Sequence, residues 1–175
     1  MHRIAVLGCG GSGKTTLARE LGRLLELPVV HVDMLQRSSG ALLPEEVWWR
    51  LHDEAVGQER WVIDAMKPGL LDRRLAAADT AILLDLPRRT CLLGILQRRL
   101  RYRGRIVPDE GVVDRLDVAF LRWVWRFRRT TRPLVLDLLA RHAGTTDVLV
   151  LSSRREVRAY VASLATVSGD GSAPR

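Results

Sequence analysis

Five short apolar runs, rich in β-branched residues, punctuate the chain at Arg3–Leu7, Pro28–Val32, Trp61–Ile63, Thr80–Leu84 and Asp147–Leu151. Their apolar positions are continuous rather than alternating, which is the pattern of strands buried on both faces of a parallel sheet. Each run is followed by a stretch with helical spacing. The spacing predicts helices at about Gly13–Glu26, Pro44–Glu59, Leu70–Ala78, Arg89–Arg101, Val112–Thr131, Pro133–His142 and Arg154–Leu164. Strands alternating with helices predict a three-layer α/β domain. Pro44 suits a first helical turn, where a missing N–H costs little. Pro133 predicts that the long basic helix kinks or ends near Arg132, because proline removes a helical hydrogen bond and clashes with the preceding turn. The polar, small-residue stretch 166–175 predicts a disordered tail, leaving 1–165 as a single domain.

Composition narrows the class. The chain has 175 residues and is 47% hydrophobic, enough for one substantial core. No apolar run approaches the roughly 20 residues that span a bilayer. The first strand begins at once, an arrangement without a signal peptide. The two cysteines, Cys9 and Cys91, have no framework spacing, which fits a reducing, cytoplasmic setting. Net charge is +8, and its placement says more than its size. Between Arg98 and Arg132 stand 11 arginines against four acids, Asp109, Glu110, Asp114 and Asp117. Arginine suits bidentate phosphate contact. Nucleotide phosphates, a nucleic-acid backbone and a plain solvated face are all open readings of this cluster.

The first of these is favoured by residues Gly8–Thr15, which read GCGGSGKT between the first strand and the first helix. That is a phosphate-binding loop in its required strand–loop–helix context. The expected contacts come from Gly8, Cys9, Gly10, Gly11, Ser12, Gly13, Lys14, Thr15 and Thr16. Glycines let successive backbone N–H groups curl around an anion, and the helix end adds its positive dipole. Lys14 is expected on the β- and γ-phosphates of ATP, and Thr15 on Mg²⁺.

Three strands end in an aspartate: Asp33, Asp64 and Asp85. Ligands of open α/β sheets sit at the carboxyl ends of strands, so all three lie on the loop's side. Each could hold Mg²⁺ or accept a proton, and Asp85 is expected to cap the next helix. His31, two residues before Asp33, reads as a core histidine with a backbone partner. His2, His52 and His142 form no metal pattern. Phe120, Trp123, Val124 and Phe127 follow helical spacing and read as a buried stripe, with Arg122, Arg126 and Arg129 on one shared face. The glycine-flanked basic segment 101–111 reads as a lid.

The chain resembles the adenylate-kinase-like P-loop proteins, and within them the branch of DNA-topology-modulation proteins. IAVLGCGGSGKTTLAREL, LPVVHVD, RWVID, AADTAILLDLPRRTCL, RRLRYRGR, LDVAFLRWVWRFRR and LLARH carry the resemblance, from Met1 to about Leu164. It implies a nucleoside-monophosphate-kinase-like P-loop NTPase fold, with a five-stranded parallel sheet, the third strand beside the first, and a basic lid. On the strand order that the resemblance implies, Asp64 is expected to face Mg²⁺ and Asp33 the phosphoryl acceptor. It implies an ATP-dependent kinase with a small acceptor, a nucleoside monophosphate being the first to try. Lys14, Asp33, Asp64, Arg99, Arg103 and Arg105 would carry catalysis, and Arg98, Arg126 or Arg129 would stand close by. Arg154 or Arg155 would border the adenine. A nucleic-acid-associated nucleotide-binding protein or ATPase using the Arg98–Arg132 cluster is the alternative. Where that branch reads Asp-Gly-Asn-Tyr, this chain reads Asp64-Ala65-Met66-Lys67, and MLQRSSG after Asp33 lacks the branch's tryptophan. Both changes fall where an acceptor would bind.

Overall fold

A computed structural model describes residues 1–32, 37–38, 41–102, 106–107, 112–113 and 118–169, with side chains for 1–32, 43–102 and 118–166. Five parallel strands form the central sheet: β1 (Arg3–Gly8), β2 (Val29–His31), β5 (Trp61–Asp64), β6 (Thr80–Leu84) and β9 (Asp147–Leu151). Their order is β2-β5-β1-β6-β9, so the first strand lies between the third and fourth of these. Two short antiparallel pairs stand outside the sheet. One is β3 (Arg37–Ser38) with β4 (Ala41–Leu42), the other β7 (Ile106–Val107) with β8 (Val112–Val113). The β7–β8 pair occupies part of the expected lid and takes residues 112–113 out of the helix expected there.

The two-residue period of the strands sorts the core into two layers. Ala5, Leu7, Ile63, Ala81 and Leu83 face one side, under Trp48 and Val56 of helix Glu45–Val56 and Leu70, Leu71 and Leu75 of helix Pro68–Ala77. Ile4, Val6, Val62, Ile82 and Leu84 face the other, under Leu17, Ala18 and Leu21 of helix Lys14–Leu25 and Cys91 and Ile95 of helix Arg88–Tyr102. All ten strand residues are at most 1% exposed. This explains why the apolar runs are continuous. The last helix, Arg154–Gly169, opens with a capping box in which Ser153 Oγ accepts from the Glu156 amide and the Glu156 carboxylate accepts from the Ser152 amide. It extends beyond the expected end at Leu164, into the stretch read as tail.

The helix Val118–His142 joins the two helices expected on either side of Pro133. It runs unbroken through Pro133. Its first half, through Val124 and Phe127, packs into one layer, and its second half, through Val135 and Leu139, packs into the other. Packing on both sides of the proline offsets the one missing hydrogen bond. Between the halves, Arg132 makes a two-pronged ion pair with Asp85, at 2.9 Å from Nε to Oδ1 and 2.7 Å from Nη2 to Oδ2. Arg128 lies 3.7 Å from the same carboxylate. Asp85 is therefore not a helix cap. It is a buried anchor just past β6, and its hydrogen bonds, then its charge, hold the Arg132 guanidinium above its ordinary pKa. Replacing Arg132 with Met is expected to strand that carboxylate and cost about 2 kcal/mol. The thermal midpoint should fall by about 4–8 °C in a melt near pH 7.

Candidate functional site

The turn after β1 is built for close approach. Gly11 has φ +74°, and a Cβ there would collide with the Cys91 carbonyl oxygen. Gly94 leans on Gly11 from the same helix, where a Cβ would strike the Gly11 carbonyl. Only glycines let the loop and helix Arg88–Tyr102 pack this tightly. Phe120 lies against Gly10 from another direction. Arg154 Nη2 donates to the Gly11 carbonyl at 3.4 Å. The loop is thus braced by three helices that lie far apart in sequence.

Helix Lys14–Leu25 begins directly from Gly13, which adopts φ 97° and supplies no side-chain cap. Its first-turn N–H groups are therefore left for another acceptor. Lys14 Nζ donates to the Cys9 carbonyl at 3.1 Å, folded back over the loop. Ser12 is 1% exposed, and its Oγ has no hydrogen-bond partner among the described residues. Uncapped amides, a nearby ammonium and an unsatisfied hydroxyl in a tight glycine cradle fit a bound polyphosphate. Cys9 is buried beside them, with its thiol pushed up by contact with the Cys91 thiol and by burial. Both cysteines are free, and Cys9 serves as a neutral packing group.

Asp64 closes the floor of the site. The β1–β5 register sets it opposite Val6, two residues before the loop. Thr15 Oγ1 donates to Asp64 Oδ2 at 2.8 Å, and His31 Nδ1 donates to Oδ1 at 2.6 Å. Burial pushes the Asp64 carboxyl up. The His31 hydrogen bond and charge, the Thr15 hydroxyl and the Lys14 charge more than offset this, leaving its pKa below the ordinary value. Asp64 is accordingly an anion at neutral pH. His31, read as a core histidine with a backbone partner, has the Asp64 carboxylate as a partner. The Asp64 and Thr15 oxygens are hard donors suited to Mg²⁺. No cluster of three or more metal-binding side chains occurs among the described residues, so a cation here would take its remaining ligands from phosphate and water.

Beyond Asp64 the chain departs from the expected surroundings. Ala65 is buried, Met66 packs between the two core layers, and exposed Lys67 places its ammonium 4.2 Å over the Trp48 ring. Beneath them lies a group that sequence reasoning missed. Arg74, fully buried, donates to the Ala65 carbonyl at 3.3 Å and to His52 Nε2 at 3.2 Å. Its signal was an arginine on the apolar face formed by Leu70, Leu71 and Leu75, where a charge needs a specific partner. Asp33, Arg103 and Arg105 lie outside the described residues. Arg99 sits half-buried near the end of helix Arg88–Tyr102, with Arg98 beside it. Arg122, Arg126 and Arg129 are exposed on the long helix, while Val124 and Phe127 are buried and Phe120 and Trp123 partly so.

This architecture is the P-loop α/β fold of nucleoside-monophosphate-kinase-like proteins. Among solved structures, the chain is similar to shikimate kinase from Acinetobacter baumannii in complex with shikimate. The TM-score is 0.57 at 18% identity, over 99% of this chain and 96% of that one. At that identity the likeness is one of fold, and it does not extend to the DNA-topology-modulation branch. No protein-family model matches the chain, and no curated protein matches its sequence. No helix among the described residues is long and apolar enough to cross a membrane.

His52 is buried with its Nε2 accepting from Arg74, so the native ring is neutral. Burial first, then the Arg74 charge, hold its pKa below the ordinary 6.5. The unfolded chain takes up this proton as pH falls through 6.5 and the native state resists it. His52 therefore contributes stability that is present above that pH and lost below it. His52→Gln is expected to lower stability at pH 7.5 and to flatten its decline toward pH 5.5, as read from urea midpoints at the two values.

Proposed function

We propose that this chain is a small P-loop kinase that moves the γ-phosphoryl group of Mg²⁺-ATP to a small-molecule acceptor. The observation that carries the reading is the Thr15–Asp64 hydrogen bond beneath a glycine cradle bearing Lys14. In this reading the backbone of Gly8–Thr16 binds the triphosphate, and Lys14 leaves the Cys9 carbonyl to neutralise it. Thr15 and Asp64 hold Mg²⁺, which supplies charge neutralisation at the β- and γ-phosphates. The remaining work is positioning and electrostatics. Arg99, Arg103 and Arg105 close over the phosphates from the lid side and exclude water. Arg154, braced against Gly11, borders the adenine.

The acceptor lies over the ends of β2 and β5, with Asp33 receiving its proton. Two acceptor chemistries are supported. One is a nucleoside monophosphate, from the sequence resemblance. The other is a small hydroxylated acid, because the neighbour in fold was solved with shikimate. Both are anions, and the exposed Lys67 ammonium would meet either. Labelled ATP incubated with nucleoside monophosphates, shikimate and simple alcohols should label one class of acceptor. Lys14→Ala should weaken ATP affinity by tenfold or more, at about 1.4 kcal/mol per decade, and abolish transfer. Hydrolysis of ATP with no acceptor labelled would replace the kinase reading with an ATPase.

A second reading has its own observation. Trp125 is 55% exposed with the Arg88 guanidinium 4.1 Å over its ring, and Arg126, Arg128 and Arg129 are exposed around it. An exposed aromatic ringed by arginines suits stacking on single-stranded nucleic acid. That role predicts oligonucleotide binding which weakens steeply with salt and is lost in Trp125→Ala. An affinity for oligonucleotide too weak to detect at 0.05 M salt would remove this reading.

A further inference from the structure

We propose that His31 is a positioning residue whose Nδ1–H aims Asp64 at Thr15 and thereby sets how strongly the loop holds Mg²⁺ with its triphosphate. The inference rests on the nucleotide reading above and deepens it. His31 and Asp64 are register partners on β2 and β5, so the pleat brings their side chains out on the same face at the carboxyl end of the sheet. Their side chains are 11% and 7% exposed, and the 2.6 Å contact is shorter than the 2.8 Å bond from Thr15 to the same carboxylate.

Hydrogen counting determines the direction of each bond. An ionised carboxylate can only accept, so His31 carries its hydrogen on Nδ1 and Thr15 gives its single hydroxyl hydrogen to Oδ2. With that hydrogen committed, the lone pairs of Thr15 Oγ1 are left to point toward the mouth of the loop, where a cation would sit. The arrangement holds only while Asp64 keeps one torsional setting. Thr15 restrains one carboxylate oxygen and His31 the other. Without the imidazole N–H, Oδ1 loses a strong donor in a nearly dry site, and the carboxylate can turn away from Thr15. The cation then meets a hydroxyl that is no longer oriented for it. The backbone cradle, which does not involve His31, stays intact. A residue that merely filled space at the end of β2 would affect stability alone, whereas this role separates two affinities. Nucleotide binding without metal should be insensitive to His31, and the gain in affinity on adding magnesium should depend on it.

The test is the dissociation constant of a non-hydrolysable ATP analogue for the full chain, measured in excess Mg²⁺ and in EDTA. Wild type is compared with His31→Asn, His31→Gln and His31→Leu, each checked by thermal melt. Asparagine places an N–H where Nδ1 stands, and glutamine places one where Nε2 stands. The Mg²⁺-to-EDTA affinity ratio is expected to stay within about threefold of wild type in His31→Asn. It should fall about tenfold or more in His31→Gln and His31→Leu, the usual range for lost support of a metal ligand, with the EDTA affinity unchanged. Should His31→Leu not fold, the Asn and Gln pair decides. A wild-type ratio in His31→Gln overturns the inference, as does an equal loss in Asn and Gln. A wild-type protein that binds the analogue equally with and without magnesium also overturns it, while leaving nucleotide binding standing. Failure of the wild type to bind the analogue at all overturns the nucleotide reading and this inference together.

Discussion

The hydrogen bond from Thr15 to Asp64 ties together elements that the chain reaches 49 residues apart. It forms only if β5 lies directly beside β1, with Asp64 in register with Val6. It also requires the helix after the loop to start at Lys14, so that the second helical residue points down onto the sheet. A one-residue slip of β5 would turn Asp64 into the apolar layer and bring Ile63 to the site, with a charge and an apolar side chain each exchanged for the wrong surroundings. The hydrophobic burial of Trp61, Val62 and Ile63 therefore does more than stabilise the sheet. It determines which oxygen meets the Thr15 hydroxyl.

Electrostatics on this edge of the sheet are arranged in pairs. Asp64 accepts from donors on two elements, Thr15 and His31, and Asp85 is held by Arg132 and Arg128. Two buried carboxylates at the ends of the strands flanking β1 would resist ionisation if left bare. Each has instead been given its own compensating group. Asp85 belongs to the architecture, as the point where the long helix passes from one core layer to the other. Asp64 faces the loop. Burial alone does not distinguish them, since both are 7% exposed. Their partners do: a bidentate guanidinium saturates Asp85, whereas a hydroxyl and an imidazole leave Asp64 with accessible donor capacity.

The cradle shows a similar division between what is rigid and what can respond. Gly10, Gly11 and Gly94 let Phe120, Cys91 and the loop touch without side chains between them, which makes the backbone shape a property of the packed core. Lys14 and Ser12 are the responsive parts: one is satisfied only by a loop carbonyl, the other by no protein group among the described residues. A polyphosphate would relieve both. Buried Arg74 does for the segment after Asp64 what Arg154 does for the loop, pinning a backbone carbonyl from below.

Much of this was legible in the residue order. Continuous apolar runs identified five strands, because the three inner strands, covered on both faces, have no polar side to show. The glycine-lysine-threonine loop was legible because its chemistry is local: the turn, the amides and the helix end lie within eight consecutive residues. The roles of Asp64, Asp85 and His31 were not local. Sequence reading set Asp64 toward the metal, Asp85 as a helix cap and His31 in the core, but only the pairing of β5 with β2 and β1, together with the path of the long helix, gave each its partner. Pro133 likewise carries a breaking signal that two flanking patches of buried side chains override. Sequence by itself determined the elements and the loop, since those follow from neighbours along the chain. Tertiary structure decided that Asp85 anchors a helix rather than capping one and that His31 meets Asp64, since those depend on groups that meet only after the sheet has assembled.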